Sequence, residues 1–103
     1  MSDPIKEEGV LQDVLNAVEK GFLIPSAHAL EQMKDRDIDF SDIEEMVYRA
    51  SREEFKDQKA NDGRSWKYAI RGTNDNGDKD IRLVVKYIEK PKMLIITAID
   101  KNK

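Results

Sequence analysis

Four cationic residues in the second half of the chain have a spacing that brings them together on one face of a predicted β-hairpin. Asn76-Gly77 is a strong signal for a two-residue hairpin turn, because a type I′ turn needs positive φ at both positions. If the turn is tight, Lys67 lies opposite Lys86. Arg71 then lies opposite Arg82. Because like charges directly opposite each other destabilise a sheet, this arrangement predicts a bound anion, and a phosphate backbone is the obvious candidate.

An ordinary solvent-exposed face is the alternative interpretation of the same residues. A half-exposed antiparallel strand alternates apolar and polar residues, and Lys and Arg are common on its solvent side. The turn could also be longer, since residues 74–78 offer several turn geometries. A register shift of two would then change the pairs without changing the faces.

His28 is the only histidine, so a catalytic triad or a multi-histidine metal site is excluded or depends on this residue alone. Near a helix start its cationic form is disfavoured by the helix dipole, which suits a neutral general base. The alternative is that His28 only packs or hydrogen-bonds between helix and sheet. Arg36 shares a helix face with His28 and could bind a phosphate through two hydrogen bonds. It could equally pair with Asp39 or Asp42 as a structural clamp.

These side chains are of the kinds that metal-independent RNA cleavage requires. A general base must remove the 2′-hydroxyl proton, and cations must stabilise the pentacovalent phosphate. The acidic residues lack the spacing of a calcium loop, and no glycine-rich phosphate loop is present. We therefore expect neither a metal nor a cofactor.

Helices are predicted before strands, which gives an α+β fold with N-terminal helices on one face of a C-terminal antiparallel sheet of three to four strands. The helices are expected at residues 9–20, at 27–36, and from a capping box at 41–44 onward. The main strands are expected at 66–71, 81–88 and 93–99, with weaker candidates at 22–24 and 54–56.

The helix ends and inward positions follow from local sequence signals. Gly21 is the expected C-terminal end of the first helix, and Ser26 is the expected N-cap of the second. Leu30 and Met33 are expected to face inward from that second helix.

The strands divide their side chains between two faces. A turn at Lys90-Pro91 places Thr97 opposite Val84, on the same face as Lys86. The side chains expected on the other, apolar face are Trp66, Tyr68, Ile70, Leu83, Val85, Tyr87, Leu94, Ile96 and Ala98. The three large rings are therefore interpreted as core residues rather than as base-stacking groups.

Composition narrows the class of protein further. The chain has 103 residues, which predicts a single domain, and no cysteine, which excludes disulfides and thiolate metal sites. Residues 1–50 carry 12 acids and 5 bases, a net charge of −7, whereas residues 51–103 carry 9 acids and 13 bases, a net charge of +4. A uniformly basic nucleic-acid binder is thus excluded. Residues 1–4 begin no signal peptide, and no apolar stretch is long enough to cross a membrane, so a cytoplasmic protein is expected.

A stretch in the first half of the chain resembles a family signature. The matching residues are Ser26, His28, Ala29, Met33, Arg36, Ile38, Asp42 and Ile43. They resemble the signature of a small bacterial domain-of-unknown-function family, number 4258. Later residues are also similar to its usual pattern, namely Trp66, Tyr68, Ile70, Gly72 and the closing Leu94-Ile95-Ile96-Thr97.

Families of this kind resemble RelE- and BrnT-like toxins, which pack helices on a curved antiparallel sheet. The resemblance implies one RelE-like domain over residues 1–103 and a toxin-like, metal-independent endoribonuclease. Its implied partners are RNA or the ribosome as target and an antitoxin protein as inhibitor.

The predicted site residues combine the sheet register with this resemblance. The predicted catalytic residues are His28, Lys67, Arg71 and Lys86. The predicted RNA-binding residues are Arg36, Arg82 and Thr97. The competing hypotheses are a non-catalytic module that uses the sheet edge or the acidic helices to hold a protein partner, and a regulatory RNA-binding protein that does not cleave.

Overall fold

The structure, a computed structural model, describes residues 5–102, and the expectation about residues 1–4 lies outside this range. Within it the α-helices are α1 (Val10–Lys20), α2 (Ala27–Asp35) and α3 (Phe40–Arg49). The strands are β1 (Leu23–Pro25), β2 (Ser51–Arg52), β3 (Gln58–Lys59), β4 (Trp66–Thr73), β5 (Asp80–Glu89) and β6 (Lys92–Asp100). The predicted α+β class is confirmed.

The sheet is larger than the three to four strands expected, and it is mixed rather than antiparallel. Over the described residues its strand order is β1-β6-β5-β4-β2, and β3 pairs with the other end of β4. The weak strand candidate at 22–24 forms β1, which pairs in parallel with β6 from Leu23–Met93 to Pro25–Ile95. The candidate at 54–56 is wrong as a strand, because Glu54–Lys56 is a 3₁₀ turn between β2 and β3.

Two glycines with positive φ bound α1. Gly9 precedes the helix with φ 71°, and Gly21 follows it with φ 77°. The Phe22 N–H donates to the Ala17 carbonyl at 2.7 Å, which satisfies a carbonyl left free by the last turn. The predicted end of the helix at Gly21 is therefore confirmed.

The second helix begins as predicted but turns a different side inward. Ser26 caps α2 through its side-chain oxygen, which accepts from the Ala29 N–H at 3.0 Å. Met33 is buried as expected, whereas Leu30 is wrong as a core residue because it is 52% exposed. Ala29 and Met33 are four residues apart and form the inward line, so Leu30 points away from it.

The third helix begins earlier than its predicted capping box. Asp39, not Ser41, is the N-cap, and its carboxylate accepts from the Asp42 N–H at 2.9 Å. The Asp42 carboxylate accepts in return from the Asp39 N–H at 3.2 Å. Asp42 is also bound by Lys79 Nζ at 2.8 Å, which ties the start of α3 to the β4–β5 loop.

The β4–β5 hairpin keeps the predicted register with a longer turn than a two-residue one. Pairing runs from Tyr68–Val85 to Thr73–Asp80 and includes Arg71 opposite Arg82. The loop closes where the Asn74 N–H donates to the Lys79 carbonyl at 3.2 Å, and Gly77 takes a φ of 76° within it. A loop with equal numbers of residues on both sides of its centre leaves the register unchanged.

The β5–β6 register is partly as predicted and contains a bulge. Thr97 lies opposite Val84, as expected, but the register shifts between Val84 and Val85. Beyond the shift, Met93 and Ile95 are fully buried, so the prediction that Leu94 and Ile96 are core residues is wrong. The extra residue of a bulge reverses the alternation of faces along the rest of the strand.

The core lies between the helices and one face of the sheet, called here the inner face. Ile70, Leu83 and Ile95 contribute fully buried side chains from the three long strands. Tyr68 is 2% exposed, and Trp66 and Tyr87 pack against the same cluster, as predicted. The helix α3 approaches β4 so closely that a Cβ atom on Gly72 would lie 2.5 Å from the Met46 carbonyl oxygen.

The described residues lack two features that would define the class of protein, a metal site and a membrane-spanning helix. No group of three or more His, Cys, Asp or Glu side chains within residues 5–102 is placed to hold a metal ion. No helix in that range is long and apolar enough to cross a membrane.

Candidate binding face of the sheet

The face of the sheet opposite the helices, called here the outer face, carries the predicted cations. Along β5 the inward residues are buried, and Arg82, Val84 and Lys86 alternate with them on the outer side. On β4 the outer residues include Lys67 and Arg71. The four cations therefore share one face, as the sequence predicted.

Glu53 lies over the two paired arginines. Arg82 Nε donates to Glu53 Oε1 at 2.6 Å, and Arg71 Nη1 lies 3.7 Å from Glu53 Oε2. Glu53 is only 7% exposed, and its backbone N–H donates to the Ala69 carbonyl at 2.9 Å. The hydrogen bond from Arg82 and the charge of Arg71 hold the pKa of Glu53 below its usual value.

A second carboxylate completes this cluster. Arg71 donates to Asp80 through Nε at 2.9 Å and through Nη2 at 2.6 Å, the two-bond geometry that guanidinium and carboxylate groups favour. The Arg71 hydrogen bonds lower the pKa of Asp80 and raise that of Arg71. The anion that two facing arginines require is therefore supplied by the chain itself.

The two predicted lysines, Lys67 and Lys86, are not bound by carboxylates of the described residues as the two arginines are. Lys67 forms no ion pair or hydrogen bond with any residue from 5 to 102 through its ammonium group. Lys86 lies near Asp62, whose pKa is lowered first by a hydrogen bond from the Arg64 N–H and further by the Lys86 charge. Of the four predicted cations, Lys67 and Lys86 are therefore the two that form no ion pair with a described carboxylate.

A shallow groove of about 260 Å³ crosses the outer face. Its lining residues are Lys56, Gln58, Lys67, Arg82, Val84, Ile96, Thr97 and Ile99. Of the predicted site residues it brings together Lys67, Arg82 and Thr97. Arg71 and Lys86 lie on the same face outside the lining, and none of α1, α2 and α3 contributes a residue to it.

His28 and Arg36 lie on α2, away from this groove. His28 is exposed in the first turn of the helix, and Arg36 is its half-buried C-cap. Between them Gln32 accepts a hydrogen bond from the Ala98 N–H at 2.9 Å, so this line of the helix follows the edge of β6. The structure therefore separates the candidate base from the sheet cations.

The outer face also has an aliphatic half that sequence reasoning missed. It consists of Ile24, Val84, Ile88, Leu94, Ile96 and Ile99. Ile24 and Ile88 are 44% and 52% exposed. The signal was present in residues 93–99, where residues of both alternations are apolar, whereas a strand with one solvated face needs only one apolar alternation.

A mixed sheet with helices on its inner face and a half-aliphatic, half-cationic outer face defines a small α+β domain with an open sheet surface. The chain belongs to the family described as Domain of unknown function (DUF4258), whose sequence profile matches residues 25–100. The membership predicted from the signature is thus confirmed. No curated protein and no solved structure matches the chain.

Proposed function

We propose that this domain is a non-catalytic binding module whose outer face holds an acidic, amphipathic helix of a partner protein. The observation that carries the proposal is the junction of an aliphatic half and a cationic half on one open face of the sheet. Contiguous exposed apolar surface rimmed by polar residues marks interaction sites on soluble proteins. A helix with one apolar side and flanking carboxylates satisfies both halves at once.

The two halves would contribute differently to such a complex. Burial of Ile24, Leu94 and Ile96 would supply most of the free energy of binding, at about 25 cal/mol for each Å² of apolar surface removed from water. Lys67 and Lys86 would orient the helix and accelerate association, since exposed charges act more on specificity and on-rate than on affinity.

The chemistry of the face favours protein over RNA as the ligand. Proteins bind single-stranded RNA with cationic grooves combined with aromatic rings on which the bases stack. The rings of Trp66, Tyr68 and Tyr87 lie on the inner face of this sheet. An RNA strand would gain little from the aliphatic half, whereas an amphipathic helix would bury it.

The test uses a designed helical peptide of about 15 residues with leucines on one side and glutamates flanking them. The control is a peptide of the same composition in scrambled order. We expect the amphipathic peptide to bind at least about tenfold more tightly, a difference of 1.4 kcal/mol. Amide chemical shifts should move on β5 and β6 rather than on α3.

Matched variants locate the binding surface. Ile96→Asn and Lys86→Gln should weaken binding of the amphipathic peptide. Leu30→Asn and Lys34→Gln are the controls, because they change an exposed apolar residue and an exposed lysine of α2 instead. Equal binding of both peptides, or equal losses from test and control variants, would refute the proposal.

A toxin-like, metal-independent endoribonuclease with a RelE-like fold is the second candidate function. It is favoured by one observation, that Lys67, which has no ion-pair partner among residues 5–102, lies in the same groove as Arg82 and Thr97. The Lys67 ammonium group and the Thr97 hydroxyl group could hold a phosphate and stabilise the negative charge that develops on it during cleavage. The candidate base, His28, would have to act from α2.

Induced expression in a bacterium tests this second function. A toxin should arrest growth, and the Lys67→Gln/Lys86→Gln double variant should relieve the arrest at equal abundance. The matched control is Lys20→Gln/Lys34→Gln, which removes the same charge from the helices. Purified protein should convert RNA to fragments with 2′,3′-cyclic phosphate ends. Normal growth and intact RNA would leave the binding module as the function.

A further inference from the structure

Three aromatic side chains lie together at one end of the inner face. Trp66, Tyr68 and Tyr87 lie side by side on β4 and β5, and the last two meet edge to face with ring centroids 5.9 Å apart. The Tyr87 hydroxyl group bonds to the Asp13 carboxylate, which fixes this ring against α1. Residues 5–9, which form neither helix nor strand, contact this aromatic floor at Trp66 and Tyr68.

The segment is attached to the floor through Lys6. Its ammonium group lies 3.1 Å from Asp57 Oδ2 and 4.5 Å from the centroid of the Trp66 ring. The Asp57 side chain is fully buried and is also bound by Arg52 at 2.6 Å. A buried carboxylate next to the face of an indole ring is a site that recognises an ammonium group, since both attract positive charge.

The second attachment is through Glu7. Its backbone N–H donates to the Tyr68 hydroxyl oxygen at 2.8 Å, and its carboxylate accepts from Lys90 Nζ at 2.7 Å. Lys90 also lies 5.0 Å from the centroid of the Tyr87 ring. The aromatic floor therefore has one binding position for an ammonium group, between Trp66 and Asp57, and a neighbouring one for a carboxylate, beside Lys90.

These attachments hold the segment weakly. The residues of the segment are all exposed, and Ile5, its large apolar residue, is 93% exposed, so almost no apolar surface is buried by it. The Lys90–Glu7 ion pair lies at the surface and contributes little stability, and ordering the segment costs conformational entropy. Gly9, with φ 71° at the start of α1, is the point at which the segment joins the rigid part of the fold.

Cavities lie on both sides of the segment. One of about 430 Å³ is lined by residues that include Glu8, Arg52 and Glu54. The other, of about 300 Å³, is lined by residues that include Arg64 and Trp66. The segment thus fills the middle of a trough that is wider than the segment itself.

We propose that this trough is a peptide-binding site that residues 5–8 occupy in place of a partner. The ligand is an extended peptide of a partner protein in which a lysine is followed by a glutamate. Its lysine takes the place of Lys6 between Trp66 and Asp57, and its glutamate takes the place of Glu7 beside Lys90. This site is separate from the outer face and does not depend on the function proposed for that face.

Trp66 is the single tryptophan of the chain, so its fluorescence reports directly on whether residues 5–9 lie against the aromatic rings. The Lys6→Gln/Glu7→Gln variant should expose the ring and increase quenching by acrylamide about twofold. Lys20→Gln/Glu19→Gln is the matched control in α1 and should leave quenching unchanged. Circular dichroism of each variant establishes that the fold is retained.

A capped Ile-Lys-Glu-Glu peptide is the probe. A short tethered segment has an effective concentration in the millimolar range, so the peptide should be tested at that concentration. There it should return the acrylamide quenching of the Lys6→Gln/Glu7→Gln variant to the wild-type level. It should bind the wild-type protein about tenfold more weakly, because residues 5–8 already occupy the site. A peptide in which glutamine replaces the lysine should have no effect.

Three results would overturn the proposal. The first is unchanged quenching in the Lys6→Gln/Glu7→Gln variant. The second is an equal response to the lysine and glutamine peptides. The third is a concentration-dependent dimer of the wild-type protein in light scattering, with quenching that changes on dilution, because the occupant would then be the segment of a second copy.

Discussion

Glu53 neutralises part of the positive charge of the outer face, because it binds Arg82 and lies beside Arg71. Two arginines directly opposite each other on neighbouring strands repel, so the pair needs an anion nearby. The anion is a side chain from the same protein, brought over β4 by the 3₁₀ turn that follows it. This contact joins residues 29 positions apart, and no local signal in the sequence predicts it.

Glu53→Gln should destabilise the fold by about 2 kcal/mol, because it removes the buried negative charge that Arg82 and Arg71 share. The measurement is the urea midpoint at neutral pH. Glu54→Gln is the control, since Glu54 is exposed at the adjacent position. Equal midpoints for the two variants would show that the arginines are held by other contacts.

The edge of β6 that faces away from β5 is covered by two elements in turn. β1 pairs with β6 only as far as Ile95, and from there α2 takes over the same edge. The Ser26 N–H donates to the Ile95 carbonyl at 2.9 Å, and Gln32 Oε1 accepts from the Ala98 N–H at 2.9 Å. A helix that covers a strand edge prevents pairing with another chain.

Gln32→Ala should leave the Ala98 N–H without an acceptor and destabilise the fold by about 1–2 kcal/mol. Gln32→Glu keeps an acceptor oxygen at the same reach and should cost much less. Hydrogen exchange at the Ala98 amide is the measurement, with faster exchange expected in Gln32→Ala alone. Identical protection in all three proteins would mean that water or another group satisfies this amide.

Elements were predictable where a local signal exists and not where a distant contact decides. Gly21 and Ser26 are local signals for the ends of α1 and α2, and both predictions were confirmed. The bulge at Ile96 was not predictable, because every nearby residue is apolar and either alternation would form a strand. The separation of His28 from Lys67 follows from how α2 lies along β6, which depends on tertiary packing.

The acidic and basic halves of the chain are joined through ion pairs in the folded molecule. Lys79 binds Asp42, Lys6 binds Asp57, and Arg49 binds the Asp75 carboxylate. Each pair links a residue of the first half to one of the second. Carboxylates that are bound in the folded state and free in the unfolded state make stability depend on pH.

The free energy of unfolding should fall as the pH drops below about 4.5, which is the ordinary pKa of a glutamate such as Glu53. The pKa values of Glu53 and Asp80 are lowered by their arginine partners. Burial alone would raise the pKa of Asp57, but hydrogen bonds from Arg52, the Ala69 N–H and Lys6 outweigh it and lower the value. The unfolded chain therefore binds protons first as pH falls, and about 2 kcal/mol should be lost between pH 5 and pH 3.

Urea unfolding between pH 7 and pH 2.5 measures this dependence. Protonated Glu53 and glutamine are both neutral. The difference in unfolding free energy between the wild-type protein and Glu53→Gln should therefore shrink as acid protonates Glu53. A difference that stays constant down to the lowest pH would show that Glu53 does not titrate with folding.

The position of β6 determines when the domain can form during synthesis. This strand lies between β1 and β5, yet it follows all the other described strands in the chain. Until Lys92–Asp100 has left the ribosome, β1 has no strand to pair with and α2 has no edge to cover. Leu23 and Met33 then remain in water, although they were made long before. The core is therefore completed in one late step, and a nascent chain that stops before β6 presents its apolar residues to chaperones and proteases.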